Sequence, residues 1–282
     1  MVASLIKNES GKGGMIIVLL LGLVIFGSIM LTNGPFPQNY ETPSENTSGE
    51  VILSDDGQVQ KYDTLQLKTL KFKQCAKTAA VNFLVDNSGS MQFGSKLQNL
   101  KSGLTAFGTG FPDNGAIAMQ VFSGPNPPRE IIPPSYFKDA KNQFNLGVKS
   151  MTAYGATYTR DAFVFAKSKL DIAIPKFPDH KFAMIFISDG IPETIGCSPR
   201  QNNCWPADQD PRTSPSVADE IKNEGVRIFT IAYLDRQDAF WDGQLESLMK
   251  DVASSQTDYY RAPLTNQLTD ILNQIGNKLC KE

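Results

Sequence analysis

Residues 79–91, AAVNFLVDNSGSM, constrain this chain more than any other stretch, because an apolar run stops abruptly in three small oxygen-bearing side chains at alternating positions. The run AVNFLV reads as a buried strand. Asp86, Ser88 and Ser90 then form D-x-S-x-S where the chain leaves the carboxyl edge of a sheet, which is where open α/β sheets place their ligand sites. Oxygen ligands held on a turn suit a hard cation such as Mg²⁺. Asp, Asn, Ser and Gly are also ordinary turn residues, so the motif by itself is equally a plain strand-to-helix turn.

Two further segments extend the pattern. Residues 181–190, KFAMIFISDG, form a second strongly apolar strand closing on Asp189, and residues 154–163, YGATYTRDAF, form a Gly-bearing loop with Thr157 just before a helical pattern. Three loops therefore offer oxygens in the order Asp-Ser-Ser, Thr, Asp. That order and spacing resemble the von Willebrand factor type A domain, whose metal-ion-dependent adhesion site uses those five positions. The resemblance covers about residues 75–280. It implies that Ser88, Ser90 and Thr157 supply hydroxyl oxygens to a metal, and that Asp86 and Asp189 bind it directly or through water. Ala156 departs from the family, which usually has a second glycine there.

The rest of the chain suits such a fold. Strand and helix patterns alternate, the signature of a doubly wound, mostly parallel α/β sheet flanked by helices. Leu97, Leu100, Leu104 and Phe107 recur at helical spacing after the first motif, and residues 116–122 and 226–233 read as strands. Residues 129–132 read as a short edge strand. Ala162, Phe163, Ala166 and Leu170 mark a helix beside Thr157, and Leu245, Leu248, Met249 and Val252 mark another. Tyr259 and Tyr260 fall in a last short strand, before a helix whose one face carries Leu264, Leu268, Ile271, Leu272, Ile275 and Leu279. No G-x-G-x-x-G or P-loop pattern opens any of these helices, so nucleotide binding has no support. A net charge of −2 gives no electrostatic case for nucleic acid.

Upstream, residues 15–31, MIIVLLLGLVIFGSIML, are uncharged and almost wholly apolar. At 1.5 Å per residue they cover about 25 Å, enough to cross a bilayer with their flanks included. Lys7 and Lys12 precede the run and no Lys or Arg follows until Lys61, which puts residues 1–14 in the cytoplasm and the remainder outside. A retained transmembrane helix over 15–33 is favoured over a cleaved signal peptide, since no clear small-x-small cleavage site follows. Residues 8–22 also resemble the leader of a type IV pilin-like protein ending at Gly14, with Leu19 where such leaders usually carry glutamate. Residues 34–74 are then a polar tether, with alternation around Asp56-Gly57 that suits a β-hairpin over 50–63, and 75–282 the folded domain. Asn46-Thr47-Ser48 fits a glycosylation sequon.

Cys75, Cys197, Cys204 and Cys280 are even in number and lie beyond the membrane segment, where disulfides persist. No C-x-x-C pair supports zinc, and the one histidine, His180, falls in another loop. Cys197 and Cys204 close a small ring within the loop after Asp189. The first strand starts, and the last helix ends, at the edge opposite the metal, so Cys75 and Cys280 are expected to pair there. That bridge would close about 200 residues and stabilise by about 5 kcal/mol in the chain-entropy model. It would also restrain the last helix and give a site of nearly fixed affinity.

The resemblance implies a function. Three hydroxyls and two carboxylates leave a divalent ion short of charge and of its preferred six oxygens. In the family a partner's Glu or Asp completes it. Mg²⁺ is the expected ion, with Mn²⁺ or Ca²⁺ as alternatives. The loop 191–215, about 25 residues long, is expected to set specificity, with Tyr154, Tyr158 and Trp205 on the rim. The leading expectation is a non-enzymatic, extracytoplasmic, membrane-anchored adhesion module. The alternatives are an envelope or pilus-associated assembly factor using the same site, and a metal-dependent hydrolase.

Overall fold

The computed structural model describes residues 51–53, 59–61, 78–234, 239–262 and 267–281. All of them lie in one of the chain's two compact units, residues 49–282. The other unit, 1–48, lies outside the described residues, and with it the apolar run 15–33, the pilin-like leader and the sequon at Asn46. Most of the tether and Cys75 also lie outside, so the Cys75–Cys280 pairing does too. Among the described residues no helix is long and apolar enough to cross a membrane.

The first two strands, β1 (Val51–Leu53) and β2 (Val59–Lys61), pair antiparallel with Val51 opposite Lys61, in keeping with the expected hairpin. The domain itself is built on β3 (Ala79–Asp86), all eight of whose residues are buried. A strand with apolar side chains on both pleat faces must be covered on both sides, and a parallel sheet between helix layers achieves this. The remaining strands are β4 (Ala116–Phe122), β5 (Arg129–Tyr136), β6 (Lys181–Ser188), β7 (Arg227–Ala232) and β8 (Tyr259–Arg261). With β3 they form a six-stranded sheet in the order β5-β4-β3-β6-β7-β8. Every pairing is parallel except β4 with β5.

Helices cover the two faces. On one lie α1 (Lys96–Gly110), α2 (Phe137–Ser150) and α7 (Gln267–Lys281). Their Leu100, Leu104, Phe144, Leu272 and Ile275 pack on Val81, Phe83 and Val85 of β3. On the other lie α3 (Thr159–Lys176), α5 (Val217–Asn223) and α6 (Ala239–Val252), whose Phe163, Ile221 and Leu248 meet Leu84 and Phe186. A single turn, α4 (Pro199–Asn202), lies in the loop after β6.

The edge strand is longer than the expected 129–132. β5 runs on through Pro133 and Pro134 to Tyr136, because proline at a sheet edge need not give up a ladder hydrogen bond. Its pairing with β4 slips twice, between Ile117 and Met119 and between Met119 and Gln120, and these bulges accommodate the extra length. Helix α2, which follows at once, has no counterpart in the sequence reading.

Candidate functional site

From β3 the chain builds β4 and β5 on one side, then returns to place β6 on the other. This reversal is a topological switch point, and the crevice it opens lies beyond the carboxyl ends of β3 and β6. Those ends are Asp86 and Ser188, adjacent because Val85 pairs with Ile187. Asp189 is the next residue.

Three loops are fastened together above this edge. The Asn87 N–H donates to Phe122 O at 3.0 Å, the Tyr154 N–H to Asn87 O at 2.8 Å, and the Gly89 N–H to Gly155 O at 2.9 Å. Gly124 and Ala156 exchange two backbone bonds, of 2.6 and 2.9 Å. Ala156 is not among the residues with positive φ, so its methyl group is accommodated without backbone strain. Gly155 is different. Its φ is +76°, and a Cβ there would lie 2.1 Å from Gly124 O. Gly155→Ala must therefore push the Thr157 loop off the sheet edge. The expected cost is about 2 kcal/mol, read as a fall in melting temperature, and an unchanged melting curve would show that the loop yields freely.

Asp86, Ser88, Ser90 and Asp189 meet at this edge, with Ser188 and Lys96 beside them. The Ser88 N–H donates to Asp86 Oδ1 at 2.7 Å, and Ser188 Oγ donates to Asp86 Oδ2 in a short bond. Ser88 Oγ and Ser90 Oγ are 3.1 Å apart, and Ser90 Oγ donates to Asp189 Oδ1 at 2.7 Å. Thr157 is buried, and the bare Cα of Gly190 lets its hydroxyl close on the Asp189 loop: a Cβ at Gly190 would lie 2.8 Å from Thr157 Oγ1. Lys96, unnoticed in the sequence, donates from Nζ to Asp189 Oδ2 at 2.6 Å. Burial first, and the charge of Asp189 second, push the Asp86 carboxyl up to about 7, against the hydrogen bonds from Ser188 and Ser88.

The donor set suits a hard divalent ion. Neighbouring oxygens around octahedral Mg²⁺ are about 3.0 Å apart, given metal–oxygen distances near 2.1 Å. The Ser88–Ser90 and Ser90–Asp189 separations, 3.1 and 2.7 Å, bracket that edge. Among the described residues no group of three or more His, Cys, Asp or Glu is placed to hold a metal, so a softer or carboxylate-rich centre is not offered. Cys197 and Cys204 are joined as a disulfide with Cα atoms 5.6 Å apart, which removes that pair as thiolate ligands.

The rim residues fall into different places. Tyr154 is exposed next to the D-x-S-x-S loop, and the Tyr158 hydroxyl accepts from the Ile195 N–H at 3.0 Å. Trp205 is half-buried against the α3–α5–α6 core, its indole N–H donating to Asp210 at 3.2 Å. Two exposed apolar side chains in the same loops were not singled out, Phe93 at 63% exposure and Ile195 at 75%.

Residues 81–191 match the family model described as the von Willebrand factor type A domain. Over these residues the chain is similar to the von Willebrand factor type A (VWA) domain. Solved structures share its fold at low identity. The pilus adhesin SpaC from Lactobacillus rhamnosus GG is 16% identical with a TM-score of 0.57, covering 72% of this chain and 31% of its own. The vWF domain of the type V pili tip protein Mfa5 from Porphyromonas gingivalis is 14% identical with a TM-score of 0.54, covering 72% of this chain and 95% of its own. The proximal thread matrix protein 1 of the mussel byssus, with a zinc-occupied MIDAS motif, is 17% identical with a TM-score of 0.50, covering 72% and 46%. The chain thus spans about a third of the pilus adhesin's length. No curated protein matches it.

Proposed function

We propose that the VWA domain binds other proteins through a divalent cation held by Asp86, Ser88, Ser90, Thr157 and Asp189, with an Asp or Glu carboxylate of the partner as the last ligand. The observation that carries this reading is the meeting of oxygens from separated loops at the switch point, with those of Ser88, Ser90 and Asp189 3.1 and 2.7 Å apart and Thr157 against the Asp189 loop, an arrangement compatible with one hard ion. Magnesium is the first choice, with manganese and calcium as alternatives. Its neighbours in fold include a pilus adhesin and a pilus tip protein, and one neighbour holds zinc in its MIDAS motif, which supports adhesion and a pilus-associated setting. The Cys197–Cys204 disulfide suits an oxidising compartment, and the apolar run 15–33 would tether the domain outside the cytoplasm.

Catalysis has no part in this reading. His180 precedes β6 and contacts Asn114 O at 3.3 Å. The length of β6, about 25 Å at 3.3 Å per residue, separates it from Asp189. It is therefore no base for a nucleophile at the site.

An array of Asp- and Glu-bearing peptides, probed with the full chain in Mg²⁺ and in EDTA, tests the proposal. Capture of acidic peptides in Mg²⁺, lost in EDTA and with Asn or Gln in place of the acid, is the expected result. Equal capture in EDTA would refute it. The raised Asp86 carboxyl adds a pH dependence. Below pH 7 an incoming ion must displace its proton, so metal affinity should fall by up to about tenfold per pH unit there and level off above it. Calorimetry at pH 6 and pH 8 measures this, and pH-independent affinity would show that Asp86 takes no part.

A further inference from the structure

Lys96 breaks several local preferences at once. It is the first residue of α1, where the positive end of the helix dipole disfavours a cation. The first turn of α1 has no acidic residue, and the Ser95 side chain makes no capping hydrogen bond. Ser95 itself sits at φ 62°, in the left-handed region that residues with a Cβ avoid. Such conflicts persist where something else fixes the geometry. Here the compensating contact is the 2.6 Å ion pair from Lys96 Nζ to Asp189 Oδ2, with the lysine side chain 14% exposed and the aspartate side chain fully buried.

We infer that Lys96 is a resident counter-ion of the metal site. It holds Asp189 in place while the divalent ion is away, and it must release Oδ2, or share it, for that ion to bind. The inference rests on the metal reading above. Counted formally, Asp86 and Asp189 bring two negative charges and Lys96 cancels one of them. A divalent ion therefore meets half the charge that the carboxylates alone would present, and competes with a tethered cation for one of its ligands. Lys96 thus acts as a positioning residue that lowers metal affinity, which keeps the ion exchangeable and makes the partner's carboxylate more decisive for retaining it.

The test is the full chain in mild detergent, as wild type, Lys96→Met and Lys96→Arg, titrated with Mn²⁺ by calorimetry and melted in EDTA and in Mn²⁺. Methionine keeps the length and packing of the stem and removes the charge. Lys96→Met is expected to bind Mn²⁺ about tenfold more tightly than wild type. It should also melt lower than wild type in EDTA, because Asp189 loses its cation, and gain more than wild type on adding Mn²⁺. Lys96→Arg should follow wild type. Binding by Lys96→Met alone would support the inference in its strongest form. Equal or weaker binding by Lys96→Met while wild type binds, or an unchanged melting point in EDTA, would overturn the counter-ion role and leave the metal reading standing. Failure of all three proteins to bind would overturn both.

Discussion

Asp189→Ala is expected to lower divalent-ion affinity at least about a hundredfold while preserving the sheet and its helices. Of the two carboxylates at the site, Asp86 has both oxygens engaged by its own surroundings, one by the Ser88 N–H and one by Ser188. Asp189 instead turns its oxygens to Ser90 and Lys96, the groups facing the crevice. Its removal takes away half the negative charge and the acceptor that orients Ser90. The ordered core is untouched, because Asp189 follows β6 and Lys96 already reaches solvent. Calorimetry with Mn²⁺ at pH 8 reads the loss. Asp189→Asn keeps an acceptor for Ser90 and should still lose most of the affinity, which separates charge from hydrogen bonding. Binding by Asp189→Ala within threefold of wild type would remove this residue from the site.

The largest stability effect is expected far from the candidate site. Asp258, 1% exposed and just before β8, accepts from Arg227 Nε at 3.0 Å and Nη2 at 2.9 Å, from Ser255 Oγ at 2.8 Å and from Lys278 Nζ at 3.2 Å. It thereby ties the start of β7 and the last helix to the end of the sheet opposite the site. Burial alone would raise its pKa, but the hydrogen bonds from Arg227, Ser255 and Lys278 outweigh that and hold its carboxyl below the ordinary carboxylate range. Asp258→Ala removes the buried acceptor that Arg227, Ser255 and Lys278 share, at a cost of about 4 kcal/mol and roughly 10 °C in melting temperature. The sign of the pH effect follows from the lowered pKa. The stabilisation is complete above the unfolded-state value near 4 and is lost as pH falls through the folded-state value. The gap between wild type and variant should therefore be full at pH 7 and close in acid. A gap that stays constant into acid would mean that the effect is packing and not charge.

How much of this could be read from the chain depended on whether the cause was local. Strands β3, β6 and β7 were legible because each is an apolar run bounded by turn residues, and α1 because Leu97, Leu100, Leu104 and Phe107 keep the helical period. Asp86, Ser88, Ser90 and Asp189 end or follow such strands, so the topology alone brings them to one edge, whereas Thr157 is marked only by the glycine before it and the helical pattern after it. Helix α2 was hidden because it begins directly after the proline-bearing edge strand, and Tyr136 gives it no side-chain cap. Ser188 was hidden as the last residue of an apolar run, although its hydroxyl holds Asp86. The hydrogen bond from the Trp205 indole to Asp210, a carboxylate that Arg212 in turn grips, had no local sign in the sequence. Lys96 left one readable sign, a cation at the wrong end of a helix, but its reason lies 93 residues away in Asp189.

Electron paramagnetic resonance of Mn²⁺ added to the full chain, with acetate carrying ¹³C in its carboxyl group, tests the central claim most directly. The account predicts that one equivalent of Mn²⁺ leaves the free aqueous signal, and that the bound ion shows a ¹³C coupling from acetate in its inner shell, standing in for the partner's carboxylate. Both signals should be absent in Asp189→Ala. Bound Mn²⁺ with no acetate coupling would show that no added carboxylate enters the inner shell of the ion, and the adhesion mechanism proposed here would be contradicted.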